Sequence, residues 1–225
     1  MTSGILYIVA TPIGNLKDIT ERALETLKNV DFVLCEDTRD SQKLLSHFGI
    51  STKTISLHQH SSEKKFKEIL NLLEANKKLA LITDAGTPGI SDPGNLLVDF
   101  LLQNNPEIKI VPIPGASAVV TALSVSGFAT DKFYFGGFPP LKNKRQKYFQ
   151  DLANITGTLV FYESTHRILK TLEDIKNNFD NQKRIVLCRE LTKQFETIYR
   201  GKINQISNLL EEGSIKGEFV IVIEN

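Results

Sequence analysis

Short apolar runs and amphipathic stretches alternate along the first half of the chain. Ile5 to Ala10 reads as a strand, and Thr20 to Asn29 as a helix whose apolar stripe is Ala23, Leu24 and Leu27. A run at 31–35 then precedes a helix near 39–48, which carries Leu44, Leu45 and Phe48 and is closed by Gly49. Strand 53–57 leads to a helix at 62–75, where Phe66, Ile69, Leu70 and Leu73 fall at i, i+3, i+4 and i+7 and Ser61 or Ser62 supplies the cap. Strand 79–83, helix 94–104 and strand 108–111 complete the series. Strands alternating with helices predict an α/β fold whose mostly parallel sheet is covered on both faces.

The pattern changes after a helix at 116–125. Strand-like runs at 132–136, 158–162, 184–188 and 219–223 come closer together, with helices at 142–152 and 166–178 between them. Gln194 to Arg200 alternates and can form an antiparallel strand beside 184–188. A mixed sheet in a second domain follows, giving an N-terminal α/β domain at 1–115 and a C-terminal α/β domain at 116–225. No linker-like tract or repeat separates them, so the halves are expected to pack directly.

Composition leaves the class open but excludes several functions. The chain of 225 residues is 41% hydrophobic and 24% charged, as an ordinary soluble globular protein is. No segment approaches the roughly 20 apolar residues needed to span a bilayer. The N-terminal apolar run is short, lacks a basic start and meets Pro12, so no signal peptide is expected. Cys35 and Cys188 sit inside strand-like runs and read as buried thiols in a reduced cytoplasm. The net charge is +1, but 12 Lys/Arg against 14 Asp/Glu leave residues 1–115 at −2, and 15 against 12 leave residues 116–225 at +3. Lys142, Lys144, Arg145 and Lys147 form one basic cluster, readable either as an RNA surface or as a solvated loop and helix start.

Three loops concentrate the constrained residues. Thr83 to Pro93, following the apolar run Leu79 to Ile82, holds two glycines, two prolines and two aspartates. Pro112 to Ala118 follows a second run, and its small residues open a helix where backbone N–H groups can meet a ligand. Thr11 to Asn15 follows the first strand. Ligands of open α/β sheets bind beyond strand C-terminal ends, so these loops are three candidate walls of one site. The dinucleotide fingerprint, the Walker loop and the metalloprotease motif are all missing. His58-x-His60 lacks a third ligand, so no metal is expected, and Asn154-Ile155-Thr156 is a formal sequon only.

Seven motifs in order carry a resemblance over about residues 4–224. They are Ala-Thr-Pro-Ile-Gly-Asn-Leu (10–16), Cys-Glu-Asp-Thr-Arg (35–39), Asp-Ala-Gly-Thr-Pro-Gly-Ile-Ser-Asp-Pro-Gly (84–94) and Pro-Gly-Ala-Ser-Ala (114–118), then Phe-Tyr-Glu-Ser-Thr-His-Arg (161–167), Arg-Glu-Leu-Thr-Lys (189–193) and Lys-Gly-Glu-Phe-Val (216–220). With them the chain resembles the small-subunit rRNA methyltransferases of the tetrapyrrole methylase fold. That resemblance implies S-adenosylmethionine as cofactor and 2′-O-methylation of a cytidine ribose in the decoding region of 16S rRNA. It also implies a two-domain plan with the cofactor cleft between the domains, a homodimer, and a cytoplasmic enzyme acting on rRNA or the small ribosomal subunit.

Carried over residue by residue, the resemblance assigns Ala85, Gly86, Thr87 and Ile90 to the cofactor loop and Ser117 and Ala118 to its second contact. Pro12 contributes from the first loop, and Glu163 and Leu191 touch the adenosyl end. The wider superfamily has Gly-Asp-Pro where this chain has Gly86-Thr87-Pro88, which leaves the role of Thr87 open. Methyl transfer to a weakly acidic hydroxyl gains from alignment and from a positioned base or cation. Candidate groups are Glu36, Asp37 and Arg39, then Glu163, His166 and Arg167, then Glu190 and Lys193. Each set has a structural alternative. Thr38 or Asp37 can cap a helix, Arg167 can pair with Glu163, and Arg39, Arg167 and Lys193 can equally hold phosphates. Tyr162 can stack on a base or fill a core. Another enzyme of the fold would methylate a corrinoid precursor or a protein histidine, and a silent RNA-binding factor would keep the cofactor loops without turnover.

Overall fold

The computed structural model describes residues 4–58, 62–92, 94–211 and 213–225. Ser61, His60 and Pro93, named above as candidate cap, candidate ligand and loop residue, lie outside the described residues. The chain divides into two compact units, Met1–Ser117 and Ala118–Asn225.

The first unit is a five-stranded sheet in the order β3-β2-β4-β1-β5, with β1 Ile5–Val9, β2 Phe32–Cys35, β3 Lys53–Ser56, β4 Lys78–Leu81 and β5 Lys109–Ile113. Every pairing is parallel, so all strand C-termini share one edge. The helices α1 Glu21–Asn29, α2 Thr38–His47, α3 Glu63–Glu74 and α4 Gly94–Asn104 connect them. From β1 the chain crosses the sheet one way through β2 to β3, then returns through β4 to β5. Right-handed crossovers in opposite directions place α1 and α2 on one face and α3 and α4 on the other. The cores agree: Ala23, Leu27 and Leu45 pack with Val33 and Ile82, whereas Ile69, Leu73, Leu97 and Leu101 pack with Leu6, Leu34 and Leu79. Adjacent β2 and β4 send their connections to opposite faces, so their ends form a topological switch point.

Local chemistry sets the helix starts. Thr20 accepts from the Ala23 N–H at 3.1 Å and opens α1. Asp37, not Thr38, caps α2, accepting from the Arg39 N–H at 2.8 Å. Ser62 occupies the cap position of α3 without a side-chain cap bond.

The second unit is a mixed sheet in the order β6-β7-β10-β8-β9, with β6 Phe133–Phe135, β7 Thr158–Ser164, β8 Arg184–Arg189, β9 Thr197–Lys202 and β10 Glu218–Glu224. Only β6 and β7 run parallel. One face packs on α6 Arg145–Ala153, α7 Ile168–Asn178 and α8 Ile203–Glu211, around Phe149, Phe161, Leu172, Ile206, Phe219 and Ile221. The other face carries α5 Ala118–Ser126 over β7 and β10. Two sequence expectations are corrected here. Helix α8 replaces the unassigned stretch after Lys202, and the ninth strand begins at Thr197 because 193–196 form a turn, with the Glu196 N–H bonded to the Lys193 carbonyl at 3.1 Å.

A buried polar chain runs through this unit. Arg145, 4% exposed, donates through Nε to Asp174 Oδ2 at 2.7 Å and through Nη2 to Thr171 Oγ1 at 2.7 Å. Thr171 Oγ1 in turn donates to Glu163 Oε2 at 2.6 Å. Arg145 therefore leaves the candidate basic cluster: its charge is paired inside, and only the three lysines remain exposed. Cys35 and Cys188 are both buried and free, and burial pushes the Cys188 thiol up to about 12.

Candidate functional site at the ends of the strands

The C-terminal edge of the first sheet gathers the glycine-rich loops and stitches them together. Thr11 and Gly86 exchange both backbone hydrogen bonds, at 2.9 and 3.2 Å, in an isolated antiparallel bridge. The buried Thr11 hydroxyl adds a bond to the Thr83 carbonyl at 3.0 Å. Thr87 Oγ1 donates to the Ala116 carbonyl at 3.2 Å, which ties the loop after β4 to the loop after β5. The loops that follow β1, β4 and β5 are thus one connected surface.

Backbone geometry explains the residue types. Gly86 has φ +86°, a region closed to most side chains at low cost. Asp92 Oδ1 accepts from the Gly89 N–H at 2.7 Å and the Gly94 N–H at 2.8 Å, clasping the loop against the start of α4. A Cβ on Gly94 would lie 2.9 Å from the Gly89 nitrogen, so that clasp needs a glycine. Of the expected cofactor contacts, Pro12 and Gly86 are buried, Thr87, Ser117 and Ala118 are half-buried, and Ala85 and Ile90 are exposed. Small side chains and open backbone at Ala85 and Gly115 leave room for a ligand to approach the main chain.

At the switch point the carboxylates divide. Arg39 Nη2 pairs with Asp37 Oδ2 at 3.0 Å, and that hydrogen bond with the Arg39 N–H lowers the Asp37 carboxyl to about 2. Asp37 and Arg39 therefore satisfy each other. Glu36 shifts the other way: burial raises it, the charges of Asp84 and Asp92 raise it further, and His58 opposes. Asp84 is also raised, chiefly by burial and then by Asp40 and Asp37, against the Asp37 N–H that it accepts. Glu36 and Asp84 are the two carboxylates here held above the ordinary range. Sequence reasoning placed Thr11, Asp84 and Asp92 in the loops of this edge but gave none of them a role there. Asp92 two residues before a helix-opening glycine was the one local signal available.

In the second unit three separated motifs meet because antiparallel pairing brings the ends of β7 and β8 to the start of β10. Glu163 and Arg189 both stand opposite Phe219. Thr165 Oγ1 accepts from the Gly217 N–H at 2.6 Å. Glu190 Oε1 accepts from the Glu218 N–H at 2.8 Å and from Lys193 Nζ at 3.0 Å, while Lys193 also meets Glu218 Oε2 at 2.8 Å. Burial alone would raise the Glu190 carboxyl, but the Glu218 N–H and Lys193 outweigh it and leave it lowered. Leu191 is buried between two left-handed residues, Glu190 at φ +51° and Thr192 at φ +66°. Two such residues flanking one side chain cost of order 1–3 kcal/mol each and persist only where the surrounding bonds hold them.

Glu163 is 1% exposed and its carboxylate is fully used. Oε1 meets the Ser164 N–H at 2.7 Å and Arg167 Nε at 2.8 Å, and Oε2 meets Thr171. Arg167 also donates to the Pro139 carbonyl at 2.9 Å, so the pairing alternative holds for this residue. His166 is exposed. The Tyr162 ring lies against Phe135 at 5.0 Å and Phe138 at 5.3 Å between centroids. Its hydroxyl accepts from the Val119 N–H at the start of α5, although burial dominates and raises it. Among the described residues no group of three or more His, Cys, Asp or Glu is placed to hold a metal ion, and no helix is long and apolar enough to cross a membrane.

Comparison with known proteins identifies the family. The family model for Tetrapyrrole (Corrin/Porphyrin) Methylases matches residues 5–207. A Pasteurella multocida (strain Pm70) protein named ribosomal RNA small subunit methyltransferase I is 50% identical over 225 residues, covering 99% of this chain and 79% of its own length. Its namesake from Synechocystis sp. is 48% identical over 221 residues, with 98% and 78% covered. Among solved structures, a uroporphyrin-III C-methyltransferase from Thermus thermophilus, complexed with S-adenyl homocysteine, aligns with a TM-score of 0.66 at 16% identity. That alignment covers 98% of this chain and 97% of the other, and at such identity it concerns the fold alone.

Proposed function

Since the chain belongs to the tetrapyrrole methylase family, and within it to the ribosomal RNA small subunit methyltransferase I group, we propose that it 2′-O-methylates a cytidine ribose in the decoding region of small-subunit (16S) rRNA. The cofactor of the family reaction is S-adenosylmethionine, which supplies an electrophilic methyl group on a sulfonium. The observation that carries the reading is the lacing of three small-residue loops, Thr11 to Gly86 and Thr87 to Ala116, at the strand ends. Those loops fit a small ligand whose polar groups are met by main chain, without a metal or a phosphate-binding fingerprint.

The chain's own contribution is alignment and proton handling. The hydroxyl oxygen forms a bond to the methyl carbon as the carbon–sulfur bond breaks, and the hydroxyl proton must leave. In-line geometry supplies much of the rate, so a rigid loop surface is worth several kcal/mol. Of the expected catalytic set, Glu36 is proposed as the proton acceptor, because its raised carboxyl is better matched to that task than the lowered Asp37. Arg39 keeps Asp37 in place as the α2 cap. Glu163 and Arg167 are proposed as positioning residues at the end of β7, Lys193 as the clamp on Glu190, and Leu191 as a cofactor contact. The protein is proposed to act in the cytoplasm as a homodimer.

The test supplies labelled S-adenosylmethionine with small subunits that lack the modification and maps the labelled nucleotide by nuclease digestion and mass spectrometry. A methyl on a cytidine ribose of the decoding region is the expected result. Tight cofactor binding with no transfer to subunits or naked rRNA would instead favour another acceptor or a silent binding factor.

A further inference from the structure

The segment 136–141 of the second unit combines an anchored backbone with exposed apolar side chains. The Gly136 N–H bonds the Val160 carbonyl and the Gly137 carbonyl accepts from the Tyr162 N–H, each at 2.9 Å. Three further carbonyls accept from side chains: Gly136 from Tyr148 Oη at 3.1 Å, Pro139 from Arg167 at 2.9 Å and Pro140 from the buried Arg145 at 3.0 Å. Flexible loops do not satisfy their backbone so completely. Yet Phe138 is 53% exposed and Leu141 70% exposed, with the Phe138 ring braced against Tyr162. A core would have hidden these groups, and a solvated turn would not need them.

Charge points to what covers them. Lys142, Lys144 and Lys147 follow within six residues, all are exposed, and none forms an ion pair among the described residues. The one acidic residue in 131–147 is Asp131. Lys142, Lys144 and Lys147 also lie at or before the first turn of α6, the end of a helix where cations are disfavoured. Uncompensated cations beside a rigid exposed aromatic are what a polyanion carrying unpaired planar bases would neutralise and stack on.

We propose that this surface is a docking site for single-stranded RNA, in which Phe138 stacks an unpaired base and Lys142, Lys144 and Lys147 take neighbouring phosphates. It rests on the rRNA reading above. Arg145, Arg167 and Tyr148 act as positioning residues that hold the platform in its binding geometry before the RNA arrives, which limits the ordering cost of association.

Binding of the 225-residue chain to unmodified small-subunit rRNA, measured across a salt series, tests it. The Lys142→Ala/Lys144→Ala/Lys147→Ala variant is expected to bind more weakly and to lower the slope of log K against log salt by about 2, at ~0.7 per phosphate contact. Phe138→Ala is expected to weaken binding about tenfold or more with the slope unchanged. Both variants should keep wild-type affinity for S-adenosylmethionine, measured by calorimetry. If wild type binds the RNA and both variants match it in affinity and slope, the surface is not the docking site. If Phe138→Ala instead changes the sedimenting species, the face lies between copies of this chain and the proposal fails. If wild type binds neither this rRNA nor the small subunit that lacks the modification, the rRNA reading falls, and this inference with it.

Discussion

Asp84 lies in the loop just beyond β4 and is exposed at the surface, yet partial desolvation, with the charges of Asp40 and Asp37, raises its carboxyl above the ordinary aspartate range against the Asp37 N–H that it accepts. An acid whose folded value exceeds its unfolded one binds more protons in the folded chain between the two values. Stability therefore falls as pH rises through that interval, and the full penalty is present at neutrality. Asp84→Asn keeps an oxygen for the Asp37 N–H but cannot ionise. Its unfolding midpoint is expected to exceed that of wild type at pH 7, with the advantage vanishing as pH drops below the usual carboxylate range near ~4. A difference in midpoint that stays constant from pH 3 to 8 would show that ionisation of Asp84 is not the cause. Residues of this kind were hidden in the sequence. The loop's glycines and prolines announce a constrained path, but which carboxylate is desolvated depends on the distant β2 end that faces it.

At the level of elements, the buried chain from Asp174 through Arg145 and Thr171 to Glu163 joins α6, α7 and β7. Arg145→Met would leave Asp174, 5% exposed, with only Gln146 of its present side-chain partners. Removing one member of a buried pair costs about 3–5 kcal/mol, whereas replacing both by apolar groups is often near neutral. The expected outcome in urea unfolding is a large loss for Arg145→Met and substantial recovery in Arg145→Met/Asp174→Leu. A single-variant loss under about 1 kcal/mol would mean the chain contributes little. The periodic elements were legible because their signal is local. The spacing of Ile69 and Leu73 or of Ala23 and Leu27 needs no partner to be read. Helix α8 carries a similar stripe at Ile203, Ile206 and Leu210, but it follows β9 without a turn residue and so escaped. Arg145 was grouped with the neighbouring lysines because nothing near it in the chain announces Asp174, 29 positions on. Motif order located the loops of the site, and only the fold revealed that Thr11 closes on Gly86 across 75 positions.

For the whole molecule the question is whether total charge or its placement governs association with RNA. The total is only +1, and residues 116 and 117 are uncharged, so dividing the chain after Ser117 leaves the first unit at −2 and the second at +3. Charges farther from a phosphate than the screening length, about 8–10 Å in physiological salt, add little to binding. Lys28, Lys64 and Lys109 are exposed on α1, α3 and β5, scattered over the first unit, and none forms an ion pair among the described residues. Changing all three to alanine alters the net charge by the same amount as the Lys142, Lys144 and Lys147 variant. If placement governs, this control retains the wild-type affinity and salt slope for unmodified small-subunit rRNA, while the second-unit variant loses both. Equal losses in the two would make the attraction a property of net charge, and the basic turn before α6 would then have no special claim on the RNA.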